Sequence, residues 1–187
     1  MKKTILASLV AILAAGSAVA GTSVSVGYGQ VEATATGAQS HRLNLGVKTT
    51  VGNALSADFG VSSTRNDATG ALSQRTEVGV TAPVFSAGIF SGSVRGATGA
   101  KMVSGSDTTY YYSVQPTVSV KLGESLTASA GYRFRDAYAN DVADRSHATR
   151  LGVSYALTKA DSIGLSYDKV RGDGAEKAVT VGYTRSF

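Results

Sequence analysis

The sequence predicts an all-β protein, a closed antiparallel transmembrane β-barrel of ten strands, with eight or twelve strands as the alternatives. Segments of about ten residues alternate apolar side chains with small or polar ones along most of the chain. The connections between these segments alternate between tight and longer polar stretches. The alternation also continues to the final residue, Phe187, in "AVTVGYTRSF", although chain ends usually fray. Closure explains this ending, because the last strand of a closed barrel must pair with the first.

The first twenty residues, "MKKTILASLVAILAAGSAVA", are typical of a secretory signal peptide. Lys2 and Lys3 precede an apolar run, and the small residues Ala18 and Ala20 form a cleavage site. We therefore predict a signal peptide over 1–20 and a single barrel domain over 21–187. An uncleaved membrane anchor is the alternative for the first segment.

Composition excludes several classes of protein. The chain contains no cysteine, which rules out disulfides and thiol chemistry. After removal of the signal peptide, 16 basic and 13 acidic residues remain. The resulting net charge of +3 is too small to indicate nucleic-acid binding. Only two prolines, together with abundant Val, Thr, Ser and Tyr, favour strands.

Each of the ten segments has one apolar face. The residues between the apolar ones are mostly Ser, Thr and Gly, with scattered Arg, and the fifth segment is the least regular because Ile89 falls on its polar side. In chain order, the apolar faces consist of Val24, Val26 and Tyr28; Leu43, Leu45 and Val47; Leu55, Ala57, Phe59 and Val61; Val78, Val80 and Ala82; Phe90 and Val94; Tyr110, Tyr112, Val114, Val118 and Val120; Ala128, Ala130, Tyr132 and Phe134; Leu151, Val153, Tyr155 and Leu157; Ile163, Leu165 and Tyr167; and Val179, Val181 and Tyr183.

The connections predict a barrel with two different ends. Tight turns are expected within 50–56, 82–88, 120–126 and 156–162. Longer polar loops, which carry most of the acidic residues, are expected within 32–40, 64–71, 98–107, 136–146 and 171–176. Both chain termini then lie at the end with the tight turns.

The two faces of the strands indicate which one meets lipid. Small polar residues suit a narrow interior, whereas aliphatic residues in mid-strand with aromatics near strand ends are typical of a lipid-facing surface. Arg185 shares this outer face and can anchor at the headgroups. The predicted interface anchors are Tyr28, Tyr110, Tyr112, Tyr132, Phe134 and Tyr167 near the longer loops, and Phe85, Phe90, Tyr183 and Phe187 near the tight turns. A soluble periplasmic or secreted β-sandwich is the alternative.

The polar face predicts a basic lumen. Its arginines are Arg42, Arg75, Arg95, Arg133, Arg135 and Arg150, joined by Lys48 and Lys121 near the tight turns and opposed by Asp58, Glu77 and Asp168. This excess of positive charge predicts a narrow pore that prefers small anionic solutes. The alternative is a packed interior of ion pairs that does not conduct.

The complete mature chain resembles bacterial outer-membrane β-barrel proteins, through its signal peptide, loop asymmetry and terminal aromatic strand. It is similar in size to the eight-stranded OmpA and OmpX type. The segments "YYYSVQPTVSV" and "GYRFRDAY" resemble the oligosaccharide porins of the KdgM type, which have twelve strands and a basic lumen. The resemblance implies residence in the outer membrane of a Gram-negative bacterium, contact with lipid and lipopolysaccharide, and recognition of the last strand by the barrel-assembly machinery.

No pattern in the sequence indicates catalysis. His147 lies near Asp144 and Ser146, and His41 opens the second segment, but neither spacing matches a catalytic motif. We predict no enzyme, no cofactor and no metal site. The expected function is a small porin-like channel. The alternative is a non-conducting structural or adhesin-like barrel that acts through its extracellular loops.

Overall fold

The computed structural model describes residues 21–52, 55–139 and 142–187. The predicted signal peptide, residues 1–20, lies outside the described residues. The described chain forms a closed all-β barrel of ten strands, which confirms the predicted fold class. The strands are β1 (Thr22–Ala33), β2 (Gln39–Val51), β3 (Leu55–Asn66), β4 (Leu72–Ala87), β5 (Phe90–Val103), β6 (Thr109–Lys121), β7 (Leu126–Ala137), β8 (Ser146–Ala156), β9 (Asp161–Gly172) and β10 (Glu176–Ser186).

Every strand pairs antiparallel with its neighbours in the chain, and β1 closes the barrel by pairing with β10. This closure runs from Ser23 opposite Ser186 to Ala33 opposite Glu176. The Phe187 amide donates to the Thr22 carbonyl at 2.8 Å. The regular pattern at the end of the sequence is therefore the closing strand. Within the part of the chain that is described, no helix is long and apolar enough to cross a membrane.

The strands extend further into the connections than the sequence predicts. The end of the barrel that carries the termini and the tight turns is the turn side, and the opposite end is the loop side. β5 runs to Val103, through most of the loop expected within 98–107, because Ser73 of β4 pairs with its last residue. β4 runs to Ala87, through most of the turn expected within 82–88, because a bulge between Pro83 and Phe85 keeps the strand paired. The ends of β4 and β5 were expected to be a turn and a loop because of their composition. In the closed sheet they remain paired and are strand.

The two faces of the wall differ as predicted. On β8, Leu151 and Val153 are exposed on the outer surface, whereas Gly152 and Ser154, which alternate with them, line the interior. Inside, the buried apolar side chains of the loop-side half are Val31, Tyr111, Ala137, Ala148, Val170 and Ala178. The turn-side half is lined mainly by glycine and hydroxyl side chains, which leave open space.

Candidate functional site

An interior cavity of about 360 Å³ lies where arginines from several strands converge. Alternate residues of a strand point to the same side, so the spacing of these arginines directs their side chains inward. Of the predicted lumenal residues, the cavity is lined by Arg42, Arg75, Arg95, Arg133, Arg150, Glu77 and Asp168. Arg135 lies deeper towards the loop side, and Asp58 binds Arg95.

Two of these arginines form well-defined ion pairs along the inner wall. Arg150 binds Asp168 through two hydrogen bonds, Nε to Oδ1 at 2.6 Å and Nη2 to Oδ2 at 2.8 Å. Arg42 Nη2 donates to Glu176 Oε1 at 2.6 Å, and its Nε donates to Thr64 at 2.9 Å. Such charge-assisted bonds hold the guanidinium planes in fixed positions.

A third arginine joins two acidic side chains. Arg95 Nε lies 3.0 Å from each carboxylate oxygen of Asp58, and its Nη1 donates to Glu77. The positive charge of Arg95 is therefore compensated within the barrel. The ion pairs of Arg42, Arg95 and Arg150 agree with the alternative given by the sequence, an interior packed with ion pairs.

Arg75 and Arg133 differ from the other arginines of the cavity. Among the described residues, neither takes part in an ion pair, and Arg75 Nε is buried without a hydrogen-bond partner. A guanidinium presents only donors and keeps its charge, so burial without an acceptor is unfavourable. Arg75 and Arg133 are therefore the arginines of the cavity whose charge is not compensated by an ion pair among the described residues.

The interior is closed at the loop side around Asp144. This carboxylate is 1% exposed, and its Oδ1 accepts from Lys101 Nζ at 2.8 Å and from Arg135 Nη2 at 3.0 Å. The guanidinium of Arg135 also lies 5.2 Å from the centre of the buried Tyr111 ring. These side chains pack beside the arginine cavity, which Tyr111 also lines.

The chain on either side of Asp144 is tied to neighbouring elements. Arg145 and Asp173 exchange hydrogen bonds, from the Arg145 amide to Oδ2 at 2.9 Å and from the Asp173 amide to the Arg145 carbonyl at 2.8 Å. Arg145 Nε also donates to Asp136 at 2.8 Å, and this bond raises the pKa of the exposed Arg145 guanidinium. The inward position of Asp144 is therefore supported by its flanking residue.

The interior continues from the arginine cavity towards the turn side. A second space of about 240 Å³ shares Arg150, Ser166 and Thr180 with the first. Its remaining inward-facing residues are small: Ser129, Gly152, Ser154, Ser162, Gly164, Gly182 and Thr184. A hydroxyl-lined vestibule thus leads from the turn side to the arginines.

The two histidines lie on the outer surface near the loop side, each bonded to a tyrosine. Tyr28 Oη and His41 Nδ1 share a hydrogen bond at 2.8 Å, and Tyr132 Oη and His147 Nδ1 share one at 2.6 Å. Their rings are also in contact. Neither histidine faces the cavity residues described above. Within the described ranges, no cluster of three His, Asp or Glu could hold a metal ion.

Most of the predicted interface anchors are exposed on the outer wall. The exposed ones are Tyr28, Tyr110, Tyr112, Tyr132, Tyr167, Phe85, Phe90 and Phe187. Phe134 and Tyr183 are only half-exposed. Phe134 packs between Tyr112 and His147, and the Tyr183 hydroxyl donates to Asp161 at 2.5 Å.

Three residues that complete the ion pairs were missed by the sequence analysis. Lys101 and Glu176 lie within predicted loops but belong to β5 and β10. Lys101 is in phase with Arg95 along β5, a signal that would have identified it had the strand been extended. For Asp144, which precedes β8, the sequence offers no such signal.

No protein-family model matches the sequence, and no curated protein matches it. Solved structures are similar in fold. A structure of the NanC porin aligns with 88% of this chain and 100% of its own, at 10% identity and a TM-score of 0.62. The KdgM porin in complex with disordered oligogalacturonate aligns with 88% of this chain and 99% of its own, at 12% identity and a TM-score of 0.52. The predicted likeness to small outer-membrane barrels of the KdgM type is confirmed at the level of the fold.

Proposed function

We propose that this protein is a small outer-membrane channel of narrow bore that favours small anionic solutes. The observation that carries the proposal is the arginine cavity, in which Arg75 and Arg133 have no ion-pair partner among the described residues. The fold shared with the two porins supports the channel, and the charge of the cavity supports the selectivity.

The proposed location follows from the outer wall. Its mid-strand residues are aliphatic and exposed, and a closed barrel satisfies its backbone polar groups internally, as lipid requires. Export through the predicted signal peptide would deliver the chain to the Gram-negative periplasm. Lipid and lipopolysaccharide would then contact the wall, and the last strand would be recognised by the barrel-assembly machinery.

The proposed selectivity follows from the charges of the interior. Basic side chains outnumber acidic ones: Arg42, Arg75, Arg95, Lys101, Arg133, Arg135 and Arg150 against Asp58, Glu77, Asp144, Asp168 and Glu176. Arg95 is bound by two acids and Asp144 by two bases, so these local excesses cancel. The remaining excess of two positive charges equals the two arginines that have no acidic partner among the described residues, Arg75 and Arg133. A cavity of about 360 Å³ fits a small carboxylate or inorganic phosphate.

Planar bilayers with a salt gradient test this proposal. We expect the reversal potential of the wild type to show anion preference. Replacing either free arginine, Arg75→Gln or Arg133→Gln, should lower the anion-to-cation permeability ratio about fivefold, the change given by ~1 kcal/mol of lost Coulomb energy. Arg171→Gln, at an exposed position near the loop side, is the matched control and should leave the ratio unchanged. Cation preference in the wild type would contradict the proposal.

A non-conducting barrel that acts through its loops is the second candidate. The observation that favours it is the filled loop-side half, where Tyr111, Arg135 and Asp144 are almost completely buried. A reconstituted wild type that inserts into bilayers but stays electrically silent at all voltages would favour this function over the channel.

A further inference from the structure

The pairing between β6 and β7 is interrupted at Pro116. Val114 pairs with Phe134, and Thr117 pairs with Gly131, in the same register on both sides of the gap. The two positions between them, Gln115 with Arg133 and Pro116 with Tyr132, are not paired. Proline has no amide hydrogen and cannot donate to a ladder, which is why it is rare inside sheets. The wall therefore has a local gap in its hydrogen bonding.

This gap lies between a space outside the wall and a space inside it. On the outer surface, an apolar crevice of about 430 Å³ is lined by residues that include Pro116 and Tyr132. On the inner side, Gln115 and Arg133 line the arginine cavity. The crevice and the cavity thus lie on opposite sides of the same unpaired segment, with no lining residue in common.

The crevice arises because the neighbouring residues are small. Gly92, Ala130 and Gly131 are among its lining residues and contribute little side-chain volume. The Phe85 ring folds over Gly92, where an added Cβ would lie only 2.1 Å from the ring. In a wall that faces hydrocarbon, an apolar crevice of this kind matches a flexible alkyl chain in both shape and polarity.

We propose that the β6–β7 seam is a lateral port that takes a single-chain lipid with an anionic head from the surrounding bilayer. The alkyl chain lies in the crevice, and the head reaches Arg133 when the two strands separate at the unpaired segment, where no ladder pairing holds them together. Charge complementarity supports this occupant, because Arg133 has no acidic partner in the described part of the chain. The inference rests on the proposed position of the barrel in lipid and does not depend on conductance.

Spin-label electron paramagnetic resonance on protein in phosphatidylcholine bilayers tests the port. The probes are a doxyl-labelled stearate, ionised at alkaline pH, and the same label on phosphatidylcholine. We expect the wild type to immobilise the stearate about fivefold more strongly than the phosphatidylcholine. Equal immobilisation of the two probes by the wild type would overturn the proposal.

Three variants separate the parts of the port. Pro116→Val restores the amide donor, Ala130→Val fills the crevice, and Arg133→Gln removes the charge that binds the head. Each should reduce the stearate preference to that of phosphatidylcholine, while Arg171→Gln should retain it. Retention of the preference in all three variants would overturn the proposal. Heat-modifiable migration identifies any variant that does not fold, and the remaining variants then decide.

The failure of the port and the failure of the channel are distinguishable. A wild type that is silent in planar bilayers but prefers the stearate would contradict the channel and support the port. A conducting wild type without stearate preference would support the channel and contradict the port.

Discussion

Asp144 is the residue on which closure of the loop-side interior depends most. Its Oδ1 binds both Lys101 and Arg135, and its Oδ2 is buried without a partner. Removing one member of a buried ion pair leaves the other charge uncompensated, which costs more free energy than the pair contributes. We therefore expect Asp144 to support both the stability of the barrel and, under the proposed function, the narrowing of its loop-side half.

Asp144→Asn should destabilise the barrel by about 3 kcal/mol, because Arg135 remains buried without its counter-charge. Repulsion between Arg135 and Lys101 should also widen the constriction and raise the single-channel conductance. Urea unfolding and bilayer recordings measure the two effects. Asp107→Asn, at an exposed loop position, is the control. Unchanged stability together with unchanged conductance would show that Asp144 does not hold the constriction.

The sequence predicted arginines on the inner face of the strands but did not assign their partners. Alternation along β7 directs both Arg133 and Arg135 inward, and strand periodicity alone predicts this. Arg150 and Asp168 lie opposite each other on adjacent strands. Other pairs join strands that are distant in the chain, such as Arg42 with Glu176, which are 134 positions apart. Pairing at that separation depends on closure of the barrel and has no local signature.

At the scale of single strands, β5 shows how close packing depends on a missing side chain. Tyr111 of β6 is 1% exposed and lies across Gly99, where an added Cβ would be 2.8 Å from the ring and 2.4 Å from the Thr76 carbonyl. On the opposite face of the same strand, a Cβ on Gly96 would meet nothing within 4 Å. Close packing thus requires a glycine at position 99, whereas position 96 has room for a larger side chain.

Gly99→Ala should destabilise the barrel by about 2 kcal/mol, since the added methyl overpacks the Tyr111 side chain and the β4 backbone. Gly96→Ala is the matched control and should change stability by less than about 0.5 kcal/mol. Equilibrium urea unfolding in detergent micelles, followed by tyrosine fluorescence, compares the two. Equal effects of both substitutions would contradict the packing described around Tyr111.

The strands themselves were predictable, and their ends were not. The apolar alternation correctly identified all ten, including the irregular fifth, since Ile89 lies in the turn before β5. The stretch 98–103 contains Gly, Ala and Lys, a composition shared by polar loops and lumen-facing strands. Only the pairing with β4 distinguishes the two, so local sequence placed the boundary too early.

At the scale of the whole molecule, the interior is asymmetric. Ion pairs and buried apolar side chains fill the loop-side half, and small hydroxyl residues line the turn-side half. A solute entering from the turn side reaches the arginines before it meets the constriction at Asp144. Under the proposed function, passage through the barrel is limited near Asp144 at the loop side. Selectivity is set by the arginines, which lie on the turn side of Asp144.

The central claim is that one face of every strand meets lipid and the other meets an enclosed polar interior. Because the chain contains no cysteine, single cysteines introduced along β8 can be labelled without background. With a fluorescent label and doxyl-labelled lipid as quencher in reconstituted bilayers, we predict quenching at Leu151→Cys and Val153→Cys. We predict protection from the quencher at Gly152→Cys and Ser154→Cys. Equal quenching at all four positions, or quenching at the second pair alone, would contradict the account.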